Sequence, residues 1–241
     1  MCGRFSVGRP AGELAAEFEA ADLAGEPAPE LAAAYLAPDY NVAPGKLVAA
    51  VVSRPPAEPG RPRRRELRLL RWGLVPSWAD RPDPGARLIN ARAETAAGKP
   101  SFRAALAARR CLVPADGWYE WAGRQPYYIT PRDGSVLALA GLYEFWGGAA
   151  DRLVSCAIVT TAAVGPLRDV HERMPLVLPR AAWSGWLDPA DDPAPLLQPP
   201  AASLVADLEL RPVGARVGNI ANNGPELLTP VRPAPEPDTL F

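Results

Sequence analysis

Between residues 110 and 163 five short apolar segments follow one another: RCLVPA, GWYEWA, PYYITP, VLALAGLYEFW and LVSCAIVTTAA. Their length, their Val, Ile, Tyr, Trp and Thr content and the turn residues between them read as strands. No strand–helix–strand rhythm accompanies them, which argues against a doubly wound sheet. KLVAAVV (46–52), ELRLLRWGLV (66–75) and LELRPV (208–213) extend the strand set, and ARLINARAET reads as extended. Helices are expected at 11–24, where Leu14, Phe18 and Leu23 recur near helical spacing, at 101–110 with Ser101 as cap, and at AAWSGWL. Residues 25–45, 77–85 and 188–202 read as irregular or loop, and 231–241 as a disordered tail. The expected fold is α+β: a single domain over residues 1–230 built on a mainly antiparallel, barrel-like β-sheet with flanking short helices.

Hydrophobic residues make up 48% and charged residues 22% of the chain, the balance of a globular protein whose core needs no staples. No run of about 18 apolar residues exists. MCGRFSVGRP carries Arg4 with no apolar stretch behind it, so no secretory signal is expected and the cytoplasm is the expected compartment. Cys111 and Cys156 lie in strand-like segments and read as small buried hydrophobes. With one histidine and no Cys-x-x-Cys pair, neither a metal nor a cofactor is expected. The net charge of −1 hides a segregation, since residues 61–110 hold thirteen Lys/Arg against four Asp/Glu. That points to an anion-binding face, although the run Arg61, Arg63, Arg64, Arg65 and Arg68 by itself reads as solvating a hairpin.

Cys2 has no strand context. Aminopeptidases remove an initiator Met ahead of a small side chain, and the mature chain would then begin with an amine and a thiol on one residue. The amine has a reference pKa of about 7.7–8.0, so part of it is uncharged at neutral pH, and the sulfur is nucleophilic as thiolate. An acyl substrate would engage the sulfur, as in N-terminal nucleophile hydrolases. An aldehyde would engage the nitrogen and then the sulfur, closing a thiazolidine ring. The bland alternative is a residue that merely follows the initiator.

Other candidates stand in short motifs. Glu120, in DGWYEWAG, shares a strand face with Trp118. Desolvation there would suit it to acid–base work, and a solvent-facing glutamate is an equal alternative. Asn90 and Arg92, in LINARAET, also share a face and offer an oxyanion or hydroxyl donor and a phosphate fork. His171, the only imidazole, must carry any histidine proton transfer. Trp72 reads as core, whereas Trp78, between Pro76 and Pro82, is an aromatic in a loop beside Arg71 and Arg81, a pattern suited to base stacking.

In order along the chain, MCGRF (1–5), YNVAPG (40–45), RWGLVPSWA (71–79), LINARAET (88–95), SFR (101–103), CLVPADGWYEW (111–121), IVTTAA (158–163), VHERMPLVL (170–178) and VGNIANNGPELL (217–228) resemble the SOS-response-associated peptidase family, whose members process abasic sites. The resemblance implies that Cys2 is the nucleophile forming a thiazolidine with C1′ of the opened abasic sugar. It implies that Asn90 holds Cys2 and the sugar, that Glu120 is the acid–base carboxylate, and that His171 acts on the sugar hydroxyl or ring oxygen. Arg4, Arg92 and Thr160 fall at phosphate contacts, Pro44 lines the site, and Trp78 stacks on or wedges bases at a single-strand to double-strand junction. Ala79 and Pro100 depart from the family pattern, where a second aromatic and a basic residue are common. The implied partner is single-stranded DNA with abasic sites, bound by a monomer in the cytoplasm at the nucleoid. A cysteine peptidase using Cys2, His171 and Glu120, and a single-stranded DNA-binding module without chemistry, are the competing expectations.

Overall fold

The segments at 47–54 and 137–146 show almost no alternation of apolar and polar residues because both faces of these strands are covered. The computed structural model describes residues 2–23, 37–56, 58, 60, 63–82, 88–148 and 152–232. Among them the strands are β1 (Phe5–Val7), β2 (Ala20–Asp22), β3 (Asp39–Val42), β4 (Leu47–Arg54), β5 (Arg64–Trp72), β6 (Asn90–Arg92), β7 (Arg110–Ala115), β8 (Gly117–Ala122), β9 (Gln125–Pro131), β10 (Leu137–Trp146), β11 (Leu153–Ala162), β12 (Arg173–Pro175) and β13 (Leu208–Pro212). One antiparallel sheet has the order β13-β9-β8-β1-β3. The other runs β12-β11-β10-β7-β4-β5-β2, and because β11 also pairs with β5 it closes β5, β4, β7, β10 and β11 into a ring. The fold is thus α+β and barrel-like, with parallel pairings of β11 to β5 and β6 and of β2 to β5 in an otherwise antiparallel arrangement.

One face of the ring carries Val48, Ala50, Val52, Leu70, Trp72, Cys111, Val113, Leu139, Cys156 and Ile158, joined in one cluster by Phe5, Trp118 and Ile129 of the smaller sheet. The alternate residues, Ala49, Val51, Leu67, Leu112, Ala140, Leu142, Ala157 and Val159, pack with apolar side chains of the short helices. Cys111 and Cys156 are free and fully buried, as their contexts predict.

Several boundaries differ from expectation. The first helix covers only Ala11–Glu17. Phe18 stacks on Trp183 with ring centroids 4.4 Å apart, Glu19 turns the chain at φ 52, and the residues that follow join β5 as β2. YNV, read as irregular, is paired to β1; residues 24–36 lie outside the described residues, as do 83–87. The extended reading of LINARAET holds for β6, after which Ala93–Ala96 is helical and buries Ala93 and Ala96. The helix expected over 101–110 is Arg103–Ala108, begins at Phe102 and has no side-chain cap, so Ser101 does not cap it. Arg110 instead opens β7, and its buried guanidinium bonds the carbonyls of Leu106, Ala107, Trp186, Asp188 and Asp191. The loop at 188–202 includes a 3-10 turn at Ala194–Leu196. Val231, placed in the tail by sequence, is tied to Pro212 at 2.9 Å; the rest of the expected tail, 233–241, is outside the described residues.

Candidate functional site

β1 fixes the start of the chain in the smaller sheet. Phe5 pairs with Trp118 and Val42, and the Tyr119 N–H donates to the Arg4 carbonyl at 2.9 Å. One step closer to the terminus, Asn90 Nδ2 donates to the Cys2 carbonyl at 2.8 Å. Neighbouring strands therefore grip the first residues from two sides. The Cys2 side chain is fully buried, in the cluster that holds Phe5, Trp72 and Trp118. Burial, reinforced by the charge of Glu120, pushes the Cys2 thiol well above its ordinary range. That direction favours the protonated sulfur in the resting site.

Strand alternation in β8 puts Trp118 and Glu120 on one face, and Glu120 is only 5% exposed. Burial raises its pKa, and the nearby His171 offsets part of the rise. The solvent-facing alternative for Glu120 is excluded. His171 follows the 3-10 turn Gly165–Asp169, with its N–H bonded to the Leu167 carbonyl at 3.0 Å. Its Nδ1 accepts the Arg173 N–H at 2.9 Å, which assigns the proton of the neutral ring to Nε2. Asn90 Oδ1 is buried and has no hydrogen-bond partner among the described residues. Cys2, Asn90, Glu120 and His171, far apart in sequence, are thus linked in one neighbourhood: Asn90 bonds the Cys2 carbonyl, the Glu120 charge bears on Cys2, and His171 bears on Glu120.

The flanking candidates divide. Arg92 is exposed two strand positions beyond Asn90, on the same face. Thr160, its register partner on β11, is fully buried, and its carbonyl accepts Arg173 Nη2 at 2.7 Å. The Thr160 side chain is withdrawn from solvent, so Arg92 is the exposed member of that pair. Arg4 Nη1 donates to Asn41 Oδ1 and to the Val217 carbonyl, both at 2.8 Å. Burial lowers its pKa. Pro44 is exposed at the turn where Gly45, at φ 90, bonds the Trp72 carbonyl at 2.7 Å. Trp72 is buried against Phe5 as expected. Trp78 is 66% exposed on a turn closed by Ala79 N–H to the Pro76 carbonyl at 3.0 Å and pinned by Trp146 Nε1 to the Ala79 carbonyl at 2.7 Å.

The basic stretch 61–110 is not one groove. Arg64 lies at the far end of β5 from Trp72, about 26 Å away at strand rise. Around it, Arg63 bonds Ser53, Arg65 bonds the Phe18 carbonyl and Ser184, and Arg64 and Arg68 pair with the buried Glu66. The hairpin reading holds for Arg63, Arg64, Arg65 and Arg68; Arg61 lies outside the described residues.

Over residues 1–220 the chain matches the family model described as SOS response associated peptidase (SRAP). The chain belongs to the SRAP family. It is 36% identical over 238 residues to the abasic site processing protein YoqW of Bacillus subtilis, covering 95% of this chain and 99% of that one. It is 34% identical over 201 residues to the abasic site processing protein HMCES of Rattus norvegicus, covering 67% of this chain and 56% of that one. A solved structure from Bacteroides thetaiotaomicron superposes with a TM-score of 0.79 at 24% identity, over 96% of this chain and 100% of that one, and bears on the fold. One from Bordetella bronchiseptica reaches 0.68 at 29% identity, over 88% and 100%. In this SRAP chain the sequence reading passed over two residues. Arg173, two positions after His171, binds Glu94 through both guanidinium nitrogens at 2.7 and 3.0 Å and also holds β11. Asn41, fully buried, is bonded to Arg4 and to the 217–222 turn. No helix among the described residues is long and apolar enough to cross a membrane, and no group of three His, Cys, Asp or Glu among them could hold a metal ion.

Proposed function

We propose that this SRAP chain processes abasic sites by bonding Cys2 covalently to the ring-opened sugar in single-stranded DNA, shielding the lesion from strand cleavage. The observation that carries the reading is the meeting of Asn90, Glu120 and His171 at the second residue of the chain, in a family whose relatives are named for abasic-site processing. While Met1 is attached the Cys2 nitrogen is an amide and inert; its removal supplies the amine.

The chemistry follows from the site. The closed sugar opens to its aldehyde when Glu120, kept protonated to higher pH by burial, or the His171 Nε2–H delivers a proton to the ring oxygen, the C1′–ring oxygen bond breaks, and the C1′ hydroxyl proton leaves to water. The Cys2 amine adds to C1′, and Asn90 Oδ1, a buried acceptor, takes a hydrogen bond from that nitrogen or from the sugar hydroxyl. Loss of water gives the imine. The Cys2 sulfur then adds to C1′ while its proton passes, by way of the Glu120 carboxylate, to the imine nitrogen, closing the thiazolidine. The net change is one water released. In this sequence nitrogen leads and sulfur follows. A peptidase reading needs the reverse, a thiolate nucleophile, and burial together with Glu120 opposes it. A binding module without chemistry leaves the buried carboxylate and its partners without a purpose.

DNA contacts are assigned to Arg92 and Arg4 for phosphates beside the lesion, Pro44 along the wall, and Trp78 for stacking, with Thr160 supporting through β11. A rigid exposed Trp contributes about 1–3 kcal/mol per stacked base. The test mixes mature protein with an abasic single-stranded oligonucleotide and measures intact mass and a denaturing gel. Wild type should gain the oligonucleotide mass less one water, and Cys2→Ala should form no stable adduct. A heat-stable adduct with Cys2→Ala would refute the proposal.

A further inference from the structure

Asn41 is fully buried in β3, and its amide does more than fill the strand. Its Nδ2 donates to three carbonyls of one turn, Val217 at 3.2 Å, Asn219 at 3.1 Å and Asn222 at 3.0 Å. Its Oδ1 accepts Arg4 Nη1 at 2.8 Å, and the same nitrogen donates to the Val217 carbonyl at 2.8 Å. From outside, Asn223 Oδ1 accepts the Tyr40 N–H at 2.8 Å, a second fastening of the turn to β3. Arg4 forms no ion pair with a carboxylate among the described residues. A half-buried guanidinium is thus held by neutral oxygens alone, two residues from Cys2.

A short N-terminal arm has little to define its direction. Here its backbone is gripped by β8 and by Asn90, and its one long side chain is gripped by Asn41 and the 217–222 turn. We propose that Asn41 is a positioning residue for Cys2: by fastening the 217–222 turn to Arg4 it sets the line of the first residues, and so the place of the reactive nitrogen and sulfur. The first residues and the 217–222 turn then form one structure. The inference rests on the covalent reading above for its kinetic consequence, but its geometric consequence stands apart from it.

Asn41→Asp is the informative variant. It keeps the oxygen that Arg4 bonds and replaces the donors that face three carbonyls with a second acceptor, releasing the turn without changing side-chain volume. In the mature full-length protein, alkylation of each cysteine is followed by peptide mass, with buried Cys111 and Cys156 reporting on global opening. In parallel, single-turnover crosslinking to abasic single-stranded DNA and affinity for an intact strand of equal length are measured. Cys2 should alkylate faster while Cys111 and Cys156 stay protected. Crosslinking should slow by about 10- to 100-fold, the scale of an ångström-sized misplacement, a larger fall than that in intact-strand affinity. If all three cysteines label together, Asn41→Asp has unfolded the chain and exposed Asn223→Ala decides: selective labelling of Cys2 supports the clasp, and none overturns it. Wild-type-like Cys2 labelling and crosslinking in Asn41→Asp overturn the clasp alone. Absence of a wild-type adduct overturns the covalent reading, while the labelling still judges the geometry.

Discussion

At the scale of the residue, burial of Glu120 costs stability at neutral pH. Its folded-state pKa is raised by burial from an ordinary 4.5, so the folded protein holds a proton that the unfolded chain releases first. Stability is fully present below the ordinary carboxylate value and is lost as pH rises through the raised one. Glu120→Gln removes that dependence. We expect the variant to melt at higher temperature than wild type at neutral pH, with the gap closing under acid conditions. Its crosslinking should slow by about 10²- to 10⁴-fold, the usual weight of a general acid–base group. A variant less stable than wild type at neutral pH would show that the carboxylate is not held against its desolvation. The same residue shows how far sequence reaches. Alternation placed Glu120 beside Trp118, but a half-covered and a fully covered β8 predict the same pattern, and only the packing of the smaller sheet on the ring removed the water.

At the scale of the element, two glycines separate packing from backbone propensity. A Cβ on Gly117 would lie 2.5 Å from the Ile129 carbonyl oxygen and 2.5 Å from Tyr128 Cζ. The carbonyl is backbone, across the β8–β9 pairing, and can yield only by spreading the strands that carry Glu120. Gly117→Ala should cost about 1–3 kcal/mol in urea denaturation and slow crosslinking as well. Gly12, inside the helix Ala11–Glu17, would place its Cβ in open space, and Gly12→Ala should stabilise by about 0.5–1 kcal/mol. Equal effects at the two sites would contradict this account. The strands from 110 to 163 were legible because their apolar runs are long and their turns distinct. β3 was not, because four residues carry too little pattern and are extended only through their partner, β1. The first helix ended early for a similar reason: Phe18 finds Trp183, a residue that no local rule connects to it.

At the scale of the whole molecule, the arginines of residues 61–110 are separated by the length of β5. Single-stranded DNA binding releases counterions in proportion to the phosphates neutralised, with a slope of about −0.7 per contact. Arg92→Ala should flatten the salt dependence by about that amount, whereas Arg64→Ala, at the distant hairpin and paired with Glu66, should leave it unchanged. A flattened slope for Arg64→Ala would mean that the strand runs along the full ring.

Residue type and order were enough to reveal the α+β class, the buried Cys111 and Cys156 and the exposed Trp78, since these depend on composition, periodicity and motif. Tertiary structure alone decided that the ring closes through β11 and β5, that Cys2 is fully buried, that Thr160 is withdrawn from solvent, and that Asn41 joins the chain's start to residues 217–222. Each of these is a matter of which distant groups exclude water from one another, and desolvation is a property of the assembled neighbourhood rather than of any segment within it.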